Sequence, residues 1–372
     1  MDHDGEEKPP KLPSSLLNLD AGARKVTDAD EEVFILYTLY PAPAGRTGLG
    51  QVDSHHDALS IRFDLEDEEM PEVESVVADQ EASYLKSSSS RGGSKAISKR
   101  SKGKGKTSSN PSLTSSSRVE VVVYQDSTSL RSTGGDTGSV VWRSSVRLAA
   151  CLMRQLHKPP FGERRPLLHA DALPGANILE LGSGTGVLPA VMLPLLSRVV
   201  RGVNWVATDQ EAMLPLLRKN MAQLAAGDEG ASVAELDWVH CAEMLRSGSS
   251  YGGGIEAMKQ RVMDTFPASS SGSAPSSVDL IVAVDCVFNP SLFSPLIDTL
   301  NIFSEPDKTL VLVVIELRSS EATMAFIETW LQDGGGDWEI WAVPNEQLSC
   351  GLDKGYVAWI GWKNAGFHHS EQ

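Results

Sequence analysis

One stretch, NILELGSGTGVL at 177–188, constrains this chain more than any other. An apolar run reaches an acid, Glu180; glycines then stand at alternate positions, and a helical pattern follows. That order reads as a buried parallel strand turning sharply into a helix, because glycine alone lets the backbone bend there and approach a ligand with no side chain between. A second apolar run, 203–208, ends on Asp209, about 20 residues further on, where nucleotide-binding α/β folds place the acid that takes ribose hydroxyls. The spacing is E-x-G-x-G-x-G and not the G-x-G-x-x-G of dinucleotide folds. A glycine turn shaped only for strand–helix packing is the competing explanation, and Asp209 counts against it.

Downstream the pattern alternates. Helices are expected at 187–199, 211–224, 292–303 and 319–332, and strands at 203–208, 233–238, 278–285 and 309–315. Two closing runs, 337–343 and 355–362, read as antiparallel edge strands, and a helix is expected at 146–156. Strands alternating with helices make a Rossmann-like, doubly wound α/β sheet whose ligands sit at the carboxyl ends of its strands. The main domain is expected at 119–364, with a flexible insertion at about 239–277. Before it come a disordered tail (1–30), a small β extension (31–65, from the runs 33–40 and 58–64) and an acidic, then Ser/Lys-rich, disordered insertion (66–118). A second tail is expected at 365–372.

A formal net charge of −16 argues against a general binder of nucleic acid or anionic membranes. The basic core of the insertion, 98–106, suits a weak rRNA contact or a nuclear-import signal, or is simply a solvated loop. Four scattered cysteines form no C-x-x-C pair, and no histidine shows ligand spacing, so no metal site is expected. With no long apolar stretch, a soluble, cytoplasmic monomer is expected, a nuclear location being the alternative.

Strand ends are where chemistry should lie: Glu180 and the glycines, Asp209, Trp238, and the run VDCVFN at 284–289. A carboxylate suits ribose hydroxyls, and the backbone N–H groups of a glycine turn suit a carboxylate. Trp238 suits an adenine face. Spacing alone leaves Trp142 open between core and a cation-facing wall, while Trp205, inside a strand, is core. Asp285 reads as a charged site residue or as a cap for the turn after it.

These residues resemble a known group. GSVVWRSS (138–145), the turn 180–186, TDQ (208–210), Asp237-Trp238, DCVFN (285–289), VIELRSSE (314–321) and YVAWIGW (356–362) are similar to the seven-β-strand lysine methyltransferases, most closely the fungal ribosomal lysine N-methyltransferase 5 family. The resemblance implies a seven-stranded sheet, S-adenosyl-L-methionine as donor and a lysine of a large-subunit ribosomal protein as acceptor. It places cofactor contacts on Trp142, Gly182, Ser183, Gly184, Asp209, Trp238 and Val284. The family's acidic-x-x-aromatic motif falls on Asp285 through Phe288, with phenylalanine where tyrosine is usual. Asp285 would then orient the incoming ammonium, and Asn289 offers an amide oxygen. Other acceptors stay open: an elongation factor, a chaperone, rRNA or a small molecule. A non-catalytic, ribosome-associated scaffold is the reading outside enzymes.

Overall fold

A computed structural model describes residues 10–40, 49–67, 70–76, 117–131, 136–160, 162, 164–200, 202–224, 231–247, 254–267, 275–333, 337–352 and 355–365. In chain order the strands are β1 (Arg24–Lys25), β2 (Ala58–Asp64), β3 (Glu72–Ser75), β4 (Arg118–Tyr124), β5 (Asn177–Leu181), β6 (Asn204–Asp209), β7 (Ala231–Glu235), β8 (Leu280–Val284), β9 (Leu310–Glu316), β10 (Trp338–Ala342) and β11 (Tyr356–Lys363). The longer helices are α1 (Ala29–Leu39), α2 (Arg143–His157), α3 (Val187–Val199), α4 (Leu214–Met221), α5 (Trp238–Ser247), α6 (Gly254–Met263), α7 (Phe293–Phe303) and α8 (Ser320–Asp333).

Among the described residues eight strands make the main sheet, in the order β1-β10-β11-β9-β8-β5-β6-β7. β7, β6, β5, β8 and β9 are parallel; β11 runs against them, and β10, antiparallel to β11, runs with them again. The parallel strands read as unbroken apolar runs because both faces are covered: β8 and β9 are buried at every position. The chain leaves β5 toward β6 and returns on its other side through β8. That reversal opens a crevice above the carboxyl ends of β5 and β8, where a Rossmann-like sheet receives its ligand.

The closing strands pair as expected, but β11 lies inside the sheet, between β9 and β10. The edge is β1, donated by the segment read as a disordered tail. That reading fails for residues 10–30: Leu16, Leu17 and Leu19 are buried, and Asp20 accepts from the Arg165 backbone N–H at 3.0 Å. Three leucines are enough to pin a short polar segment once a cleft exists to receive them.

The run 33–40 also corrects the sequence reading. Its β-branched and aromatic residues suggested a strand, yet it belongs to α1. Asp28 caps that helix, accepting from Glu31 N–H at 2.8 Å. The decisive residue is Glu32, 1% exposed, which receives the Trp359 indole N–H at 3.0 Å and pairs with Arg24. Only a helix brings that carboxylate inward together with Leu36 while Tyr37 reaches Thr323 on α8 at 3.1 Å.

Of the β extension expected at 31–65 only β2 is a strand; the three-stranded sheet β3-β2-β4 takes β3 from the segment read as disordered insertion and β4 from the start of the expected main domain. The Ser/Lys-rich core of that insertion and the tail from 366 lie outside the described residues. Within 239–277, read as flexible, the structure shows most of α5 and all of α6. Buried Asn220 of α4 ties the small sheet to the main one. Its amide donates to the Tyr124 carbonyl at 2.8 Å and the Thr185 carbonyl at 2.7 Å, and its oxygen accepts from Tyr124 N–H.

Candidate active site

At the crevice the glycine turn does what its spacing suggested. Gly182 and Gly184 sit at φ of 64° and 53°, in the left-handed region. A Cβ on Gly184 would stand 2.8 Å from the Gly138 carbonyl oxygen, and one on Gly182 would meet the Trp238 ring and Cys286 Sγ at 3.1 Å. The turn is thus pressed between the Gly138 loop and Trp238, with its backbone facing a cavity of about 490 Å³.

Asp209 faces the same cavity from the end of β6. Its Oδ2 accepts from Gly184 N–H at 2.7 Å and its Oδ1 from Gln210 N–H at 2.8 Å. Burial pushes its pKa up to about 6; the two N–H bonds oppose the shift, and Asp136 and Asp237 add to it. Trp238 opens α5 after Asp237, which accepts from Val239 N–H at 2.8 Å, so this indole stands on a helix N-terminus and not in the strand expected at 233–238. Trp142 forms the opposite wall, its indole N–H held by the Thr137 carbonyl at 2.7 Å.

The other end of the cavity is built differently. Asp285 follows β8 at φ 62°, a conformation rare for a residue with a Cβ. Its backbone N–H bonds to Val314 O at 2.7 Å. Both its carboxylate oxygens are taken by Arg318, Oδ1 at 2.8 Å from Nη1 and Oδ2 by Nη2. Arg318 also reaches Glu316 Oε2 at 3.0 Å, and Arg143 reaches the other Glu316 oxygen at 3.0 Å. The Arg318 guanidinium lies 5.3 Å from the centre of the Trp142 ring. Burial works against its charge, but the two carboxylates outweigh that and hold its pKa above the ordinary value.

Of the residues singled out in the sequence, Trp142, Gly182, Ser183, Gly184, Asp209, Trp238, Val284, Asp285 and Phe288 line this one cavity. Two do not. Glu180 lies beneath the turn, 3% exposed, receiving the Trp205 indole N–H at 3.1 Å, and burial raises its pKa to about 7. Asn289 spends its side-chain oxygen on Ser291, accepting from N–H at 3.1 Å and from the hydroxyl at 2.9 Å. Asp285, expected to meet an ammonium, is already engaged by a guanidinium. The quartet of Arg143, Glu316, Arg318 and Asp285 was missed, and so was Leu49 at the cavity mouth. The signal was present in VIELRSSE, where two opposite charges stand at the end of an apolar strand.

A family model described as lysine methyltransferase matches residues 125–249 and 267–332, just over half of the chain. The chain belongs to this lysine methyltransferase family. Among curated proteins, this methyltransferase is similar to the diaminohydroxyphosphoribosylamino-pyrimidine deaminase of Schizosaccharomyces pombe, at 28% identity over 210 residues. The match covers 56% of this chain and 41% of that protein, so the chain spans under half of its relative's length. Among solved structures it is similar to an O-methyltransferase family protein from Burkholderia thailandensis, at 12% identity and TM-score 0.33, covering 51% of this chain and 52% of that one. It is also similar to human N-acetylserotonin methyltransferase in complex with S-adenosylmethionine, at 12% identity and TM-score 0.29, covering 50% and 47%. Both scores are low, and the assignment of the fold stands on the strand order instead.

The methyltransferase uses S-adenosyl-L-methionine, and the residues present fit it. The glycine turn leaves a cradle that any Cβ would fill, Asp209 is a carboxylate suited to ribose hydroxyls, and Trp238 is an aromatic wall. These would hold the nucleoside, while the N–H groups of the turn suit the amino-acid carboxylate.

Proposed function

We propose that this methyltransferase modifies the ε-amine of a lysine in a protein of the large ribosomal subunit. The observation that carries the lysine reading is the mouth of the cavity. Phe288, 46% exposed, and Leu49, 71% exposed, flank it with apolar surface of the kind a four-methylene stem packs on. The family match supports the same acceptor. For the ribosomal protein, support comes from the resemblance in sequence and from a net charge of −16, which favours basic partners. An elongation factor or a chaperone remains the alternative acceptor.

When bound, the cofactor supplies a methyl carbon on a positively charged sulfur, and a neutral amine attacking it leaves the C–S electron pair on sulfur. The chain's own contribution is alignment. Its fixed walls, Trp142 and the strand-end turns, hold the acceptor's approach to one direction, and orientation of that kind accounts for much of what such a reaction requires. Phe288 and Leu49 exclude water around the stem. After transfer the surplus proton on nitrogen goes to solvent.

The test is incubation of the purified chain with methyl-labelled cofactor and large-subunit proteins from cells lacking it, followed by gel and acid hydrolysis to methyl-lysine. One labelled ribosomal-protein band, lost with Asp209→Ala, supports the proposal. Label in a non-ribosomal protein moves the substrate, and label removed by ribonuclease assigns the acceptor to RNA.

A further inference from the structure

Among the described residues, the acceptor end of the cavity carries two carboxylates, and neither is free. Asp285 and Glu316 are 8% and 5% exposed, and each is bound by guanidinium groups. Two arginines against two acids leave the quartet with no net charge. The position is held tightly, because a Cβ on Gly50 would overlap the Arg318 guanidinium. The loop at Gly50 therefore lies directly on the guanidinium, and the Gly50 carbonyl accepts from Arg143 N–H at 2.9 Å. Among the described residues, the titratable groups that face Arg318 are Asp285 after β8, Glu316 on β9 and Tyr37 on α1, whose hydroxyl also feels Glu321 of α8; Arg143 on α2 joins through Glu316.

An uncompensated carboxylate beside the acceptor would favour its ammonium form by about 1–3 pKa units. An ammonium has no lone pair with which to attack. We propose that Arg318 is the positioning residue of the acceptor end: it holds Asp285 in its left-handed turn, cancels its charge, and so makes the cavity receive lysine as the uncharged amine. This rests on the lysine reading above. It reverses the role expected of Asp285 from its place in the motif, since the carboxylate then serves Arg318 and the turn and not the substrate directly.

The experiment is the dependence of kcat on pH, from 6 to 10, with labelled cofactor and the acceptor band identified by the assay above. In Arg318→Gln the acid limb moves up by about one unit, which makes kcat at neutral pH about tenfold lower. Arg318→Lys keeps the charge but loses the fork, and its limb moves less. Removing the bare carboxylate as well, in D285N/R318Q, returns the limb to its wild-type position. Cofactor affinity by calorimetry stays within about threefold throughout, since the hydrogen bonds of Arg318 go to Asp285 and Glu316 and not to the glycine turn or Asp209. A lower kcat with an unmoved limb, or a large loss of cofactor affinity in R318Q, overturns the proposal. If R318Q does not fold, D285N decides: an acceptor KM within about threefold of wild type supports it, and a tenfold rise shows a carboxylate gripping the ammonium and overturns it. A wild-type chain that binds the cofactor but labels no lysine overturns the function itself, a separate outcome.

Discussion

The two ends of the cavity are made of different materials. Around the glycine turn the working groups are backbone N–H donors and one carboxylate, contributed by two consecutive strand–turn–helix units between Glu180 and Gln210. At the acceptor end they are side chains drawn from positions 143, 285, 316 and 318, joined by ion pairs under the backbone of Gly50. A backbone site tolerates side-chain change nearby but fails if the chain cannot take its path. A side-chain network keeps its path and fails when one charge is left alone.

That contrast can be broken most forcefully at Gly184. Gly184→Val places a Cβ against the Gly138 carbonyl at a φ that valine resists, so cofactor binding by calorimetry should be abolished and the chain destabilised by about 1–3 kcal/mol. Retained affinity would show that the turn's path is not what matters. Next, Asp209→Ala should weaken the cofactor by about 3 kcal/mol, on the order of a hundredfold in Kd, by removing a charged acceptor. An equal loss from Asp285→Asn would erase the division between the two ends.

A subtler test uses Glu180. Its folded pKa, about 7, is raised by burial above the ordinary glutamate value of 4.5. Such a group contributes stability below its unfolded pKa, and the contribution is lost as pH rises through 7. Asp209, at about 6 against 3.8, acts in the same direction over a lower window. Glu180→Gln, which can still accept from Trp205, should therefore raise the melting temperature at pH 8, by a stability gain of about 1–3 kcal/mol, and have little effect at pH 4. An identical shift at both pH values would rule out a buried charge as the cause. The smallest effect is expected at Asn289. Asn289→Ala loses a cap, costing about 0.5–1 kcal/mol in chemical unfolding, with kcat and cofactor affinity unchanged; a fall in kcat would return Asn289 to the catalytic set.

How far the sequence could be read follows the same division. The parallel strands, the glycine turn and Asp209 were legible because each is a local pattern whose meaning needs only its neighbours in the chain. Asp285 and Phe288 were legible as positions but not as chemistry, since the partner of Asp285 lies 33 residues away at Arg318. The helix at 29–39 was missed because a β-rich run hid a buried glutamate that only Trp359 explains. The tail that becomes β1 was missed because three leucines mean little until there is a cleft for them. Glu180 shows the opposite error: its place before the turn suggested a ligand, and its indole partner from the next strand made it part of the core.

By itself, then, the sequence determined the alternation of strand and helix and a cofactor cradle made of backbone, because hydrophobic period and glycine conformation act over a few residues. Tertiary structure alone decided which charges stand free. Whether a carboxylate meets a substrate or an arginine depends on which strand ends are brought together, and at Asp285 the sheet brought Arg318.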